Sequence, residues 1–244
     1  MDEWEIKARA TLKEISGKLQ EFEKILKDNG IDSPFKNYKL ENNEKIQLPW
    51  GYIRTAEYFR RKYHLYKLLD YKFLRNNIAY AFQATDFYNY LLNRFYIGLS
   101  VGKIFYKSAI INNFSIFEGI LYGVIKTEHK FCLSNNGICR RNDKCSYYLK
   151  APNKYTFVQI LELLTSKNLL VFNEKEIERL IQIKTLRDNI HIWDAVGNDL
   201  ENDGYNLKTY NQIVLLLKKV NNVLPINITE FKKNRNNDCS KINV

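Results

Sequence analysis

The strongest candidate for chemistry is a polar pair inside an apolar segment, LIQIKTLRDNIHIW at residues 180–193. Arg187 and His191 are four residues apart, which places them one helical turn along the same side. At about 100° per residue they fall on the border of the apolar stripe, where they would face a cleft or a partner. A guanidinium that binds anions and an imidazole that exchanges protons near neutral pH are suited to phosphate chemistry.

The same spacing occurs a second time, and its surroundings differ. Arg60 and His64 lie in a run of charges typical of a solvated face, whereas Arg187 and His191 lie among apolar residues. For Arg187 and His191 a structural alternative stays open. Arg187 would then form an ion pair with Asp188 or Glu118, and His191 would be a hydrogen-bonded core histidine.

A group of three thiols and one imidazole is the candidate metal site. The spacing is His129-x2-Cys132-x6-Cys139-x5-Cys145, across a segment rich in Asn and Gly. Three cysteines and one histidine are an accepted structural zinc set, and a closed site would hold together a loop with little core of its own. The alternative is three reduced thiols, as cytosolic cysteines usually are. Cys239 is predicted to have no role.

The elements that position these groups are predicted to be helices. Asn173 and Glu176 have capping-box spacing and begin the helix that carries Arg187. Residues 110–127 form an almost wholly apolar central helix whose one charge, Glu118, needs a partner or a shifted pKa. Pro152 opens a helix to about Ser166. A last helix around Tyr210 stops before Pro225.

The whole chain is predicted to be all-α, because strand alternation is absent. Residues 1–50 comprise an amphipathic helix over 3–28 and a connector. Residues 51–225 form an up-and-down bundle with a cysteine-containing loop at 128–152, and 226–244 form a loose polar tail.

The residue composition and net charge limit which classes of partner the chain is expected to bind. Among the 244 residues, 45% are hydrophobic, so a real core is expected. The net charge of +11 favours an anionic partner, with nucleic acid ahead of a membrane surface, or else is solubility charge alone. The first residues are acidic and lack an apolar signal, and no window of 18 uncharged apolar residues occurs, so a cytoplasmic chain with no membrane partner is expected.

Basic and aromatic residues alternate between residues 54 and 75. The interleaving is typical of a nucleic-acid-binding face, in which cations meet phosphates and rings stack on bases. The alternative is a set of tyrosines that pack a core while the charges face water. The residues are Arg54, Arg60, Arg61, Lys62, Lys67, Lys72 and Arg75, with Tyr58, Tyr63, Tyr66, Tyr71 and Phe73.

The order of these segments resembles a known family. An apolar helix with an acid (IFEGIL, 116–121), a helix (FVQILELL, 157–164), a short turn, a helix with LRDNIH (186–191) and a final helix with Tyr210 are similar to HEPN domains. These are helical modules of prokaryotic toxin and phage-defence systems. The resemblance covers about residues 100–222, and only three residues separate Arg187 from His191, where the family often has more.

The resemblance implies a metal-independent endoribonuclease that acts as a homodimer, with Arg and His from each copy at a shared interface. His191 would take and give the proton, and Arg187 would stabilise the phosphate charge. Asp188 or Asn189 would orient one of them, with Glu118 nearby. The implied partners are RNA and a cognate antitoxin or defence partner. No cofactor is expected for catalysis, and the zinc would be structural. The alternative is a non-catalytic module that binds nucleic acid or a protein through a basic face.

Overall fold

The structure of the chain is a computed structural model that describes residues 2–30, 43, 45–47, 51–134, 147, 149–188 and 204–241. Within these ranges the regular elements are eight α-helices and one 3-10 turn, with no strand, so the all-α prediction is confirmed. The helices are α1 (Glu3–Asp28), α2 (Ala56–Lys62), α3 (Leu65–Leu68), α4 (Lys72–Arg94), α5 (Leu99–Ser134), α6 (Phe157–Ser166), α7 (Glu174–Asp188) and α8 (Leu207–Lys241).

The chain divides into two compact units, Met1–Pro49 and Trp50–Val244. The first unit contains α1, which begins where the Asp2 backbone N–H donates to the Glu5 carboxylate at 3.0 Å. Glu3 and Glu5 place negative charge at the positive end of the helix dipole. The helix ends at Asn29, close to the predicted boundary, and none of its residues is buried.

The second unit is built around α5, which packs against α3, α4, α7 and α8. Ile110, Phe114, Phe117, Ile120 and Leu121 are fully buried, so the predicted central position of this helix is confirmed. One window of α5, Ser100–Cys132, is long and apolar enough to cross a bilayer, with mean hydropathy 1.3. However, 61% of that window is buried inside the protein. The core helix of a soluble protein has the same length and composition.

A glycine allows the chain beside α5 to approach closely. A Cβ added at Gly123 would lie 2.5 Å from Leu69 Cδ2 and 2.7 Å from Leu74 Cδ2. Leu69 is itself buried, so it has little room to move aside. The close packing of α3 and α4 on α5 therefore depends on the absence of a side chain at this position.

Three predicted boundaries are corrected. Pro152 opens only the 3-10 turn Pro152–Lys154, and α6 begins at Phe157 behind its N-cap Thr156. Thr156 and Gln159 form a capping box, and this sequence signal is stronger than a proline alone. The loop predicted at 128–152 begins later, because α5 continues to Ser134 with Cys132 buried.

The third correction concerns α8, which was predicted to stop before Pro225. The helix runs through this proline to Lys241, so residues 226–241 are not a loose tail. Pro225 removes one backbone donor, at a cost of about 3 kcal/mol in a helix interior. Ile228 and Phe231 continue the apolar stripe and are buried, at roughly 1.5–3 kcal/mol each. Their burial offsets the proline.

Candidate active site at the end of helix α7

The start of α7 is as predicted. The Asn173 N–H donates to Glu176 Oε2, and the Glu176 N–H donates to Asn173 Oδ1, both at 2.9 Å. Leu180 and Ile183 are fully buried, so one side of the helix packs into the core. This fixed face brings the last turn, with Arg187 and Asp188, to the edge of α5.

Arg187 binds Glu118, the one acidic residue of the predicted apolar helix over residues 110–127. Its Nη2 donates to both oxygens of Glu118, at 2.6 Å and 2.7 Å. These two residues are 69 positions apart in the chain and join α7 to α5. The carboxylate thus takes both bonds from one nitrogen and holds that end of the guanidinium beside α5.

The second acid, Asp188, also lies beside Arg187. Its Oδ1 is 3.1 Å from Arg187 Nε, an ion-pair distance, although Nε is buried and makes no hydrogen bond among the described residues. Asp188 also pairs with Lys184, one turn earlier. Both ion pairs of the structural alternative, with Glu118 and with Asp188, are therefore present in one cluster.

The cluster is open to solvent. The side chain of Arg187 is 30% exposed and that of Glu118 is 18% exposed. Asp188 is more open, at 42%. The guanidinium also lies over the ring of Phe114, 5.7 Å from its centroid. An aromatic face and a carboxylate thus position a cation that a dissolved anion can reach.

Burial and charge act in opposite directions on Glu118. Partial burial raises the pKa of this carboxyl above its ordinary value of 4.5, and the charges of Arg187 and Lys184 oppose the shift. The pKa of the neighbouring Tyr122 is also raised, first by burial and then by the charge of Glu118. Desolvation therefore outweighs the pairing at Glu118, as expected for an acid on the border of an apolar core.

The two predicted site residues that remain follow the end of α7. Asn189 and His191 lie outside the described residues, between the end of α7 and Gly204. On the far side, the buried Tyr205 donates from its hydroxyl to the Leu186 carbonyl at 2.8 Å. The chain thus leaves α7 and re-enters the bundle at neighbouring points.

Sequence reasoning missed four residues of this cluster: Phe114, Tyr122, Lys184 and Tyr205. A signal for two of them was present, because Phe114, Glu118 and Tyr122 recur every four residues on one side of α5. Nothing local to Tyr205 indicated its bond to α7.

The second Arg-x3-His pair does not share a helical face. Arg60 lies within α2 and pairs with Glu57, whose Oε2 is 2.9 Å from its Nη1. His64 lies beyond the end of α2 as the N-cap of α3, with φ 52°. A helix break therefore lies between Arg60 and His64.

The zinc candidates are described only in part. His129 and Cys132 lie in the last turns of α5, and Cys139 and Cys145 lie outside the described residues. His129 Nδ1 is 2.7 Å from the Leu149 carbonyl oxygen, so this nitrogen carries the proton in that bond. Zinc-binding histidines commonly use one ring nitrogen in this way and coordinate through the other. Across the described ranges, no three His, Cys, Asp or Glu residues form a metal-binding group.

Some residues of the basic and aromatic segment make internal contacts, whereas others are exposed. The Arg54 guanidinium binds the buried Asp86 through Nε at 2.8 Å. Tyr63 stacks on Phe82 with ring centroids 4.1 Å apart. Phe73, Tyr66 and Tyr58 are exposed, at 83%, 52% and 38%. These contacts favour the core interpretation for several members of the segment.

A second arginine–acid pair lies deeper in the same unit. Arg235 of α8 pairs with Glu128 of α5, and their side chains are only 3% and 2% exposed. Lys232 adds a second cation, with Nζ 3.2 Å from Glu128 Oε1. The Arg235 guanidinium also lies 3.5 Å from the centroid of the Phe131 ring.

Comparison with known proteins adds no relative. No protein-family model, curated protein or solved structure matches the chain.

Proposed function

We propose that this chain is a cytoplasmic, HEPN-like, metal-independent endoribonuclease of the toxin or phage-defence kind, acting as a homodimer. One observation carries the proposal. The guanidinium of Arg187 is held in place by Glu118 while its side chain stays 30% exposed, four residues before His191. A structural arginine needs no solvent access, whereas an arginine that binds phosphate does.

The proposed reaction uses the RNA 2′-hydroxyl as nucleophile. His191 removes the 2′ proton, the 2′ oxygen forms a bond to phosphorus, and the bond from phosphorus to the 5′ oxygen breaks. The protonated His191 then gives this proton to the leaving 5′ oxygen, so the products are a 2′,3′-cyclic phosphate and a 5′-hydroxyl. Arg187 stabilises the negative charge that gathers on the phosphate oxygens in the transition state.

Glu118 acts in this proposal as a positioning residue. It binds Nη2 of Arg187 and leaves the other donors of the guanidinium outside this contact. Asp188 and Asn189 border the same groups in sequence and complete the polar set. A cognate antitoxin or defence partner would act by covering this exposed corner.

The test is an RNA cleavage assay with no added divalent metal ion. We expect the unmodified chain to cleave RNA and His191→Ala to leave it intact. The matched control is His64→Asn, which removes the histidine of the other Arg-x3-His pair and tolerates its positive φ. This control should cleave at the unmodified rate. Equal RNA survival with the unmodified chain and His191→Ala would refute the nuclease proposal.

A non-catalytic module is the second candidate, and the ion pair itself favours it. Arg187 bound to Glu118 crosslinks α5 and α7, which is a sufficient structural role. This candidate predicts that RNA is retained in a filter-binding assay at low salt and is never cleaved. The basic face would then supply the affinity.

A structural zinc belongs to the proposal as well. The bond of His129 to Leu149 and the burial of Cys132 suit a site that also takes Cys139 and Cys145. Elemental measurement of the purified protein should give about one zinc per chain. A metal-free sample that melts at the same temperature would argue against this site.

A further inference from the structure

The apolar face of α1 has a coiled-coil repeat. Six of its apolar residues, between residues 8 and 26, are spaced alternately by four and three positions, which is a heptad pattern, while Trp4, Ile6 and Ile25 lie outside it. Leu12, Leu19 and Leu26 take the a positions, and Ala8, Ile15 and Phe22 take the d positions. A period of 3.5 residues favours a left-handed supercoil, whereas a helix packed on a globular core tends toward 3.6.

The row of a and d residues in α1, called the seam below, is exposed within the first unit. Leu12 is 44% exposed, Ile15 49% and Phe22 36%, and no residue of α1 is buried. A groove of about 800 Å³ runs beside Ile15, Leu19 and Phe22. Ile46 also borders the groove but is itself 79% exposed, so it does not fill the space.

A helix of this length needs a partner for its apolar side. Helices in proteins gain most of their stability from packing of an amphipathic face rather than from intrinsic propensity. Gly17 adds to that need, because a glycine inside a helix costs about 1 kcal/mol relative to alanine. It occupies an f position, the point farthest from the seam, where a missing side chain costs no contact.

The charges beside the seam select the partner and its direction. In a parallel, in-register pair, each g position meets the e position five residues later in the other helix. Lys18 then meets the second copy's Glu23, Thr11 meets its Ser16, and Trp4 meets its Arg9. All three contacts are neutral or attractive. An antiparallel pair centred on Gly17 would also place Arg9 opposite Glu23. However, it would bring Lys18 against Lys18, a repulsion that the parallel pair lacks.

The exposed contact that Lys18 makes within its own helix does not prevent this pairing. Its Nζ lies 2.9 Å from Glu21 Oε2, and both side chains are largely in solvent. Such a pair is easily exchanged for another. Leucine at a together with isoleucine at d throughout would favour four strands, but only Ile15 supplies isoleucine at d.

We infer that α1 binds the α1 of a second copy of this chain as a parallel, two-stranded coiled coil. The surface is distinct from the corner around Arg187 and does not rest on the proposed nuclease activity. It gives the chain a means of self-association in residues 8–26 alone.

The test is disulfide crosslinking of the full chain. In a parallel pair, Ile15→Cys places two thiols opposite each other at the same d layer. Mild oxidation should then form a species of twice the 29.0 kDa chain mass. We expect this at least about tenfold faster than with Lys24→Cys, because pairing raises the effective thiol concentration. Lys24 is the matched control, since it lies at an f position and is exposed.

Two further arms complete the experiment. The unmodified chain, with its four cysteines, sets the background rate under the same oxidant. Adding Leu19→Asp to Ile15→Cys should reduce crosslinking to the Lys24→Cys rate, because it places a charge in the seam. Equal rates for Ile15→Cys and Lys24→Cys would overturn the inference, whether α1 is alone, antiparallel or covered by its own connector. Crosslinking without RNA cleavage would reject the nuclease alone.

Discussion

Two arginine–glutamate pairs join α5 to other helices, and they differ in their access to water. Arg187 and Glu118 lie at the edge of the bundle, with side chains 30% and 18% exposed. Arg235 and Glu128 lie inside it, at 3% and 2%. The buried pair has no surface to offer a ligand, so it crosslinks the fold. The pair of Arg187 and Glu118 is partly exposed, and the proposed binding of phosphate requires this access to solvent.

The surroundings of the two acids extend the contrast. Glu128 receives two cations, Arg235 and Lys232, which compensate for its burial. Glu118 binds the guanidinium of Arg187 and also feels the charge of Lys184, but its pKa is raised because burial outweighs both cations. Perturbed pKa values cluster at functional sites, so the raised pKa of Glu118 supports a functional role for this acid.

The largest expected effect is on the buried pair. Glu128→Gln leaves the charge of Arg235 inside the protein without a carboxylate, so unfolding should become easier by about 3–5 kcal/mol. Urea denaturation followed by circular dichroism measures this change. Asp70→Asn is the matched control, because it breaks the exposed ion pair with Lys130 and should leave the unfolding midpoint unchanged. A small effect of Glu128→Gln would remove the distinction between the two pairs.

The next prediction separates activity from stability at the partly exposed pair of Arg187 and Glu118. Arg187→Lys keeps the positive charge but loses the planar fork, so RNA cleavage should fall about 10²–10³-fold. Stability should fall by only about 1–2 kcal/mol, because the pair is partly in water. Single-turnover kinetics measure the cleavage rate, and urea denaturation measures the free energy of unfolding. A variant that loses stability but cleaves RNA normally would assign Arg187 to the fold.

The smallest effect is a pH dependence at Glu118. Its raised pKa means that, just above pH 4.5, the folded chain binds a proton that the unfolded chain has released. The contribution of Glu118 to stability therefore falls as pH rises from 4.5 through the raised pKa. Glu118→Gln lacks this titration, so the stability of the unmodified chain relative to this variant should decline over that interval.

The measurement is urea denaturation of both chains across this pH range. Glu162→Gln, at an exposed position of α6, is the matched control and should parallel the unmodified chain. A relative stability that rises with pH would mean that the Arg187 charge, not burial, dominates at Glu118.

Local signals in the sequence predicted much of the fold. The Asn173–Glu176 capping box, the extent of α1 and the apolar centre of α5 all follow from neighbouring residues, and the structure has each of them. The prediction failed at Pro225, because a proline was weighed by its local cost alone. The burial of Ile228 and Phe231 depends on tertiary packing, which no short window contains.

The candidate site was only half predictable, for the same reason. Glu118 stood out as a single charge in an apolar helix, and pairing with Arg187 was one of two alternatives. Choosing between Glu118 and Asp188 needed the packing of α7 on α5, and the structure places both acids beside the guanidinium. Arg235 was missed altogether, because it lies in the segment that was predicted to be loose.

The place of α5 in the chain has a consequence for synthesis on the ribosome. Its apolar surface is complete at Ser134, but α8, which covers part of it, ends only at Lys241. At translation rates of about 5–20 residues per second, part of the apolar surface of α5 stays uncovered for roughly 5–20 s, until α8 has been synthesised. Exposed apolar surface of this kind favours aggregation, and the contacts of α4 with α5 cover part of it before α8 is made.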